Sequence, residues 1–115
     1  MIKIKRVYTE ASKEDGFRIL VDRLWPRGMT KDKAKVDLWL KDIGPSDDLR
    51  KWFSHDPKKW QGFKKRYQTE LRKNQELLRK IKRAEKENGT VTILYSAKDE
   101  EHNQAVALVA FLQKP

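Results

Sequence analysis

The chain has 115 residues, with 27 Lys and Arg against 17 Asp and Glu, which gives a formal net charge of +10 at pH 7. This length fits a single domain over residues 1–115, and four Trp, four Phe and three Tyr favour a folded core over disorder. The absence of Cys excludes disulfides, thiolate metal sites and a cysteine nucleophile, and favours a cytoplasmic protein. We expect no membrane partner, because no apolar run has the length of a signal peptide core or a membrane span.

Hydrophobic patterns predict two strands near the start of the chain. Residues 2–8 alternate apolar and basic side chains, which is typical of a half-exposed strand, whereas Phe17, Ile19, Leu20 and Val21 form an apolar run typical of a buried strand. The acidic loop over residues 10–16 is too short for a helical crossover. We therefore expect the two strands to be antiparallel if they are neighbours.

The middle of the chain carries several helix start signals. Thr30 is placed to cap a short helical turn, and residues 36–40 form a short strand or extended segment. Ser46 caps a helix whose first turn is acidic, and Asp56 followed by Pro57 caps the next one.

A long amphipathic region follows Pro57. One apolar stripe at helical spacing predicts a buried helix face formed by Trp60, Phe63, Tyr67, Leu71, Leu78 and Ile81. The stripe loses its apolar residue near Asn74, where we expect a break, and Gly89 ends the second helix. Residues 90–95 give the strongest strand signal of the chain, and a final helix is expected over residues 100–112.

These elements predict an α/β fold, with a small, mostly parallel central sheet, an antiparallel N-terminal strand, and flanking helices. Ligands of open α/β sheets bind at the carboxyl ends of the strands. The loops after the buried strand and after the last strand would open on the same edge if these strands are parallel neighbours. We therefore predict binding of a small phosphate- or carboxylate-bearing ligand by Asp22, Arg23, Arg27, Gly28, Ser96, Lys98, Asp99 and Asn103.

A structural interpretation of the same residues stays open. In this interpretation Asp22 pairs with a basic residue elsewhere in the fold, Arg23 pairs with Asp37, and Asp99 is simply the N-cap of the last helix. The sequence does not decide between a ligand site and a structural network.

The sequence predicts neither a metal nor a cofactor, and it leaves catalysis open. His55 and His102 are candidate bases, but neither belongs to a spacing such as HxxxH or HExxH that holds a metal. No glycine-rich cofactor loop follows a strand.

Most of the positive charge lies between residues 50 and 87, which hold 14 Lys and Arg against 5 Asp and Glu. A charge run of this kind is usually a solvated helix face, but it can also follow the phosphates of a nucleic acid without reading sequence. The candidate residues for this alternative are Lys58, Lys59, Lys64, Lys65, Arg66, Arg72, Lys73, Arg79, Lys80, Lys82 and Arg83.

Four segments together carry a family resemblance. They are residues 21–28 (VDRLWPRG), Asp37 with Trp39, residues 45–50 (PSDDLR), and residues 94–99 (LYSAKD) with Asn103. They are similar to the YeaO-like family, a domain of unknown function, over essentially the whole chain. The resemblance implies a small cytoplasmic α/β domain and supplies no activity.

Overall fold

The computed structural model of the protein describes residues 1–114 and contains one four-stranded sheet. Its strands are β1 (Ile2–Arg6), β2 (Phe17–Leu20), β3 (Leu38–Trp39) and β4 (Val91–Tyr95). The α-helices of the described residues are α1 (Lys31–Ala34), α2 (Asp47–Phe53), α3 (Trp60–Arg72), α4 (Gln75–Asn88) and α5 (Gln104–Leu112). Short 3-10 turns cover Lys13–Asp15, Lys41–Ile43 and Pro57–Lys59. None of these helices is long and apolar enough to cross a membrane.

The α/β class and the parallel sheet are confirmed, but the antiparallel N-terminal strand was wrong. The strand order is β1-β4-β2-β3 and every neighbouring pair is parallel, with Ile93 of β4 in register with Ile4 on one side and Ile19 on the other. The connection over residues 7–16 needs no helix to return to the start of the sheet. Ten extended residues reach about 33 Å, which exceeds the length of one short strand plus two strand spacings.

One face of the sheet carries the main core. Helices α4 and α5 pack on the strands, and α3 packs against α5 and α2. Phe63 and Tyr67 of α3 are almost completely buried between these elements. The Tyr67 hydroxyl donates to the carbonyl of Ile43 at 2.8 Å, so the polar end of this buried ring is satisfied. The predicted apolar stripe is therefore core.

The opposite face is covered by the connection between β2 and β3. Leu20 and Leu94 of the sheet form a small buried cluster with Ala34 of α1, and Trp25 packs against it. This connection crosses from the carboxyl end of β2 back to the start of β3. It therefore fixes the loop that follows Val21 at the edge of the sheet.

A buried ionic network lies on this second face. Arg18 donates to Asp15 at 2.6 Å and to the carbonyl of Ala34 at 2.7 Å, and Lys5 lies 3.1 Å from Asp15. Burial alone would raise the pKa of Asp15, but hydrogen bonds from the Ser12 backbone, Lys5 and Arg18 outweigh it, so the pKa lies below its usual value.

The predicted helix boundaries are confirmed at most helix ends. Ser46 accepts a hydrogen bond from the N–H of Leu49, which confirms it as the N-cap of α2. Asp56 caps the 3-10 turn that leads into α3. The break expected near Asn74 is confirmed, because α3 ends at Arg72 and α4 begins after Asn74.

The start of the last helix differs from the prediction. Asn103, whose side-chain oxygen accepts from the N–H of Val106, is the N-cap of α5. Asp99 caps the turn before it, because its carboxylate accepts from the N–H groups of Glu101 and His102. The polar segment after β4 is therefore a turn, and Asn103 follows it at the edge of the sheet.

Candidate anion-binding site

A cavity of about 600 Å³ opens at the carboxyl ends of β2 and β4. Because these two strands are parallel neighbours, the loops that follow them open on the same edge of the sheet. Five predicted site residues lie in its wall: Asp22, Arg23, Arg27, Ser96 and Asn103. We call this space the strand-end cavity, and its position agrees with the site expected from the sequence.

Asp22 is buried in the cavity wall and has unusual surroundings. Its Oδ1 accepts a hydrogen bond from the amide of Gln104, whereas its Oδ2 is buried without a hydrogen-bond partner in the described chain. Burial raises the pKa of this carboxyl above its usual value, although Ser96, Gln104 and the charge of Arg50 oppose the rise. The ion pair with a basic residue that the structural interpretation allowed does not form, because no Lys or Arg of residues 1–114 lies within salt-bridge distance of Asp22.

The side chain of Arg23 mainly makes structural hydrogen bonds to the backbone. Its Nε donates to the carbonyl of Pro45 at 2.6 Å and its Nη2 donates to that of Gly44 at 3.0 Å. The suggested pair with Asp37 does not form, because the Asp37 carboxylate accepts instead from the backbone N–H of Arg18. Arg23 therefore holds the loop before α2 against the end of β2.

Arg27 is exposed and lines the cavity wall. Its backbone carbonyl accepts from the Tyr8 hydroxyl at 2.8 Å, which fixes the chain at this point. No acidic side chain among residues 1–114 pairs with its guanidinium. Gly28 has a φ of +79°, as the turn requires, but it lies outside the cavity wall.

The loop after β4 contributes only part of its predicted set. Ser96 lies in the wall, and its carbonyl is held by Nη2 of Arg6 at 3.1 Å. Asn103 is buried in the wall at the start of α5. Lys98 and Asp99 lie outside the wall, so Lys98 does not converge with the two arginines as we expected.

Three further polar residues of the wall, Arg50, Lys51 and His55, were not among the predicted ligand-binding residues, although His55 was considered as a candidate base. They lie on the last turn of α2 and in the connection to α3, where Ser54 and His55 both adopt positive φ. Arg50 was noted only within the basic region and the family segments. No local pattern shows that α2 runs back to the carboxyl edge of the sheet.

An oriented histidine also borders the cavity. Nδ1 of His102 lies 2.9 Å from the Asp99 carboxylate, and the imidazole meets the ring of Trp60 edge-on at 5.3 Å. The backbone N–H of Glu101, together with His102, holds the pKa of Asp99 below its usual value. Asp99 itself lies outside the wall and contacts the cavity lining through His102.

Comparison with known proteins places the chain in a family. The family model described as "Inactive DUF488-N3 subclade" matches residues 1–115. The chain belongs to this DUF488-N3 subclade. It is 40% identical to the uncharacterized protein YeaO of Escherichia coli K12 over 112 residues, which cover 97% of this chain and 96% of YeaO. The resemblance to the YeaO-like family is therefore confirmed.

Two mycobacterial proteins are also similar to this member of the DUF488-N3 subclade. The uncharacterized proteins Rv3073c of Mycobacterium tuberculosis and Mb3100c of Mycobacterium bovis are each 46% identical over 70 residues. The match covers 61% of this chain and 59% of the length of each relative. No solved structure matches the chain.

Proposed function

We propose that the chain binds a small molecule carrying a phosphate or carboxylate group in the strand-end cavity. The observation that carries this proposal is the charge of the wall, which contains Arg23, Arg27, Arg50 and Lys51 but only one acidic residue, Asp22. A concave wall dominated by one sign of charge concentrates ligands of the opposite sign. The volume of about 600 Å³ is within the usual range of ligand pockets.

The individual cations differ in how they can contribute. Arg27 offers a free planar fork of the kind that binds phosphate or carboxylate through two parallel hydrogen bonds. Arg50 shares its guanidinium with Asp47, to which it donates at 2.8 Å on the exposed side of α2. Arg23 is committed to the loop carbonyls. We therefore assign the main anion contact to Arg27, with Arg50 and Lys51 adding charge at the mouth.

The proposal concerns binding and assigns no reaction. The family description calls the subclade inactive, which fits a binding role better than catalysis. Ser96 adds nothing to a catalytic interpretation, because no hydrogen bond joins its hydroxyl to the imidazole of His102 among the contacts of residues 1–114.

The test is a titration of the protein with ethyl phosphate, in which binding is measured by calorimetry or by NMR. Arg27→Ala should weaken binding about tenfold or more, since a hydrogen bond to a charged group contributes about 1.5–3 kcal/mol. Arg83→Ala is the matched control, because it removes the same charge from the exposed face of α4. Equal weakening by both variants would indicate a general charge effect and would reject the site.

A second candidate function is binding of nucleic acid by the basic region over residues 50–87. It is favoured by one observation: of the eleven basic candidates, only Arg79 has a carboxylate partner within the described chain, namely Glu76 at 2.7 Å. The other ten have no carboxylate partner, although Lys59 donates to the carbonyl of Trp52 at 2.8 Å. Part of this charge covers aromatic rings instead, because Arg66 lies 3.9 Å from the centre of the Trp52 ring.

Salt dependence tests this second candidate. If about five or more basic residues contact phosphates, log affinity for nucleic acid should fall against log salt with a slope of roughly −0.7 to −0.9 per contact. Charge reversal at Lys64, Lys65 and Arg66 should flatten the slope, and Arg27→Ala should change it by at most one contact. An absence of binding at about 50 mM salt, where such contacts are weakly screened, would exclude this function.

A further inference from the structure

The geometry points to a ligand that carries a hydrogen-bond donor, such as a primary ammonium group, besides its anionic group, with Asp22 as the residue that receives the donor. This inference rests on the proposed function and specifies its ligand as a small zwitterion. Three observations carry it: the unpartnered carboxyl oxygen of Asp22, the position of that carboxyl in the cavity wall, and the cations around the same cavity.

The first observation is the missing partner of Asp22. The residue is only 8% exposed, and its Oδ2 has no donor in the described chain. Buried carboxyls in folded proteins are normally paired or fully hydrogen-bonded, because an unpaired one loses hydration without compensation. Asp15, the other buried aspartate of this fold, follows that rule with Arg18 and Lys5. Of these two buried aspartates, only Asp22 lacks a partner for one oxygen, and only Asp22 lies in the cavity wall.

The chain does not offer a cation of its own to Asp22. The positive charge of Arg50 acts on the carboxyl across the cavity, but its guanidinium pairs with Asp47. Arg23 is a close neighbour in sequence, but it donates to the carbonyls of Gly44 and Pro45. Neither cation therefore pairs with Asp22, and a donor from a molecule in the cavity would supply the partner that its Oδ2 lacks.

The cations and the unpartnered carboxyl oxygen in the wall together indicate the chemistry of one ligand. A phosphate or carboxylate near Arg27 leaves the other end of a small molecule facing the wall that contains Asp22, Ser96 and Asn103. An ammonium group at that end supplies the missing donor and compensates the buried negative charge. Amino acids and phosphorylated amino alcohols have this chemistry.

The other oxygen of the Asp22 carboxyl already has a partner in the chain. Gln104 is half-buried at the start of α5, and its amide donates to Oδ1 of the same carboxyl. Gln104→Ala should accordingly keep the preference for a ligand with an ammonium group, because it opens the carboxyl without removing it.

The test compares ethyl phosphate with O-phosphoethanolamine, two phosphate esters that differ in a single ammonium group. The wild-type protein should bind O-phosphoethanolamine about tenfold more tightly, the gain typical of a hydrogen bond between charged groups. Asp22→Asn should reduce the ratio of the two affinities to about one. Arg27→Ala should weaken both ligands and keep the ratio.

The outcomes separate the inference from the proposed function. If the wild-type protein binds neither ester, the proposed function fails. If it binds both equally, or if Asp22→Asn keeps the preference, the anion site stands and the donor role of Asp22 is overturned. The wild-type comparison requires no variant, so the inference can be refuted even if a substitution prevents folding. Asp48→Asn, on the exposed face of α2, is the control for loss of an acidic charge.

Discussion

Arg23 and Arg27 are four residues apart and look equivalent in the sequence, but the structure predicts opposite effects of their removal. Arg23→Ala deletes two hydrogen bonds, of 2.6 Å to the Pro45 carbonyl and 3.0 Å to the Gly44 carbonyl. Gly44 and Pro45 are both buried, so water cannot readily replace the lost donors. At about 1.5 kcal/mol per charged hydrogen bond, the free energy of unfolding should fall by about 3 kcal/mol.

The assay is thermal unfolding followed by far-ultraviolet circular dichroism. For a domain of this size, a loss of about 3 kcal/mol lowers Tm by roughly 10 °C. Ethyl phosphate should still bind Arg23→Ala at temperatures where the variant is folded. Arg27→Ala should show the reverse, with an unchanged Tm and lost binding, because its exposed guanidinium has no partner among residues 1–114. A wild-type Tm together with abolished binding in Arg23→Ala would refute this assignment of a structural role to Arg23.

Three further predictions concern stability. The pKa of Asp22 is raised in the fold from the ordinary 3.8, so wild-type stability should decrease relative to Asp22→Asn as pH rises above about 3.8, in Tm series from pH 3 to 8. Asp15→Asn should lower the free energy of unfolding by about 3 kcal/mol at neutral pH, because Arg18 loses a buried partner. The pKa of Asp15 is lowered in the fold, so this loss of stability should shrink as pH falls below about 3.8. A loss that stays constant with pH would contradict this. Gly16→Ala should destabilise the fold, because a Cβ there would lie 2.3 Å from the Thr90 carbonyl oxygen at a φ of +65°; an unchanged urea midpoint would argue against it.

Local signals in the sequence predicted most of the elements. Ser46 and Asp56 act as caps, and the chain breaks around Asn74, because capping and hydrophobic periodicity depend on a few neighbouring residues. The order of the strands was not predictable in the same way. The insertion of β4 between β1 and β2 joins segments far apart in the chain, and no pattern within the ten-residue connection excludes a crossover.

The sequence likewise predicted only part of the candidate site. Asp22, Arg27 and Ser96 directly follow or lie near strand ends, so the edge rule for parallel sheets placed them together. Arg50 and Lys51 reach the cavity only because α2 returns to this edge, which tertiary packing decides. The sequence also could not show that Arg23 donates to the carbonyls before α2, because backbone acceptors have no sequence signature.

The most direct test of the anion site is an NMR titration of isotope-labelled protein with ethyl phosphate up to about 10 mM, where even millimolar binding approaches saturation. The proposed site predicts saturable amide shifts that are largest in the wall of the strand-end cavity, for example at Arg27, Lys51, His55 and Ser96. It also predicts that these shifts disappear in Arg27→Ala. An absence of saturable shifts, or shifts confined to the exposed basic faces of α3 and α4, would contradict the claim that the cavity binds anions.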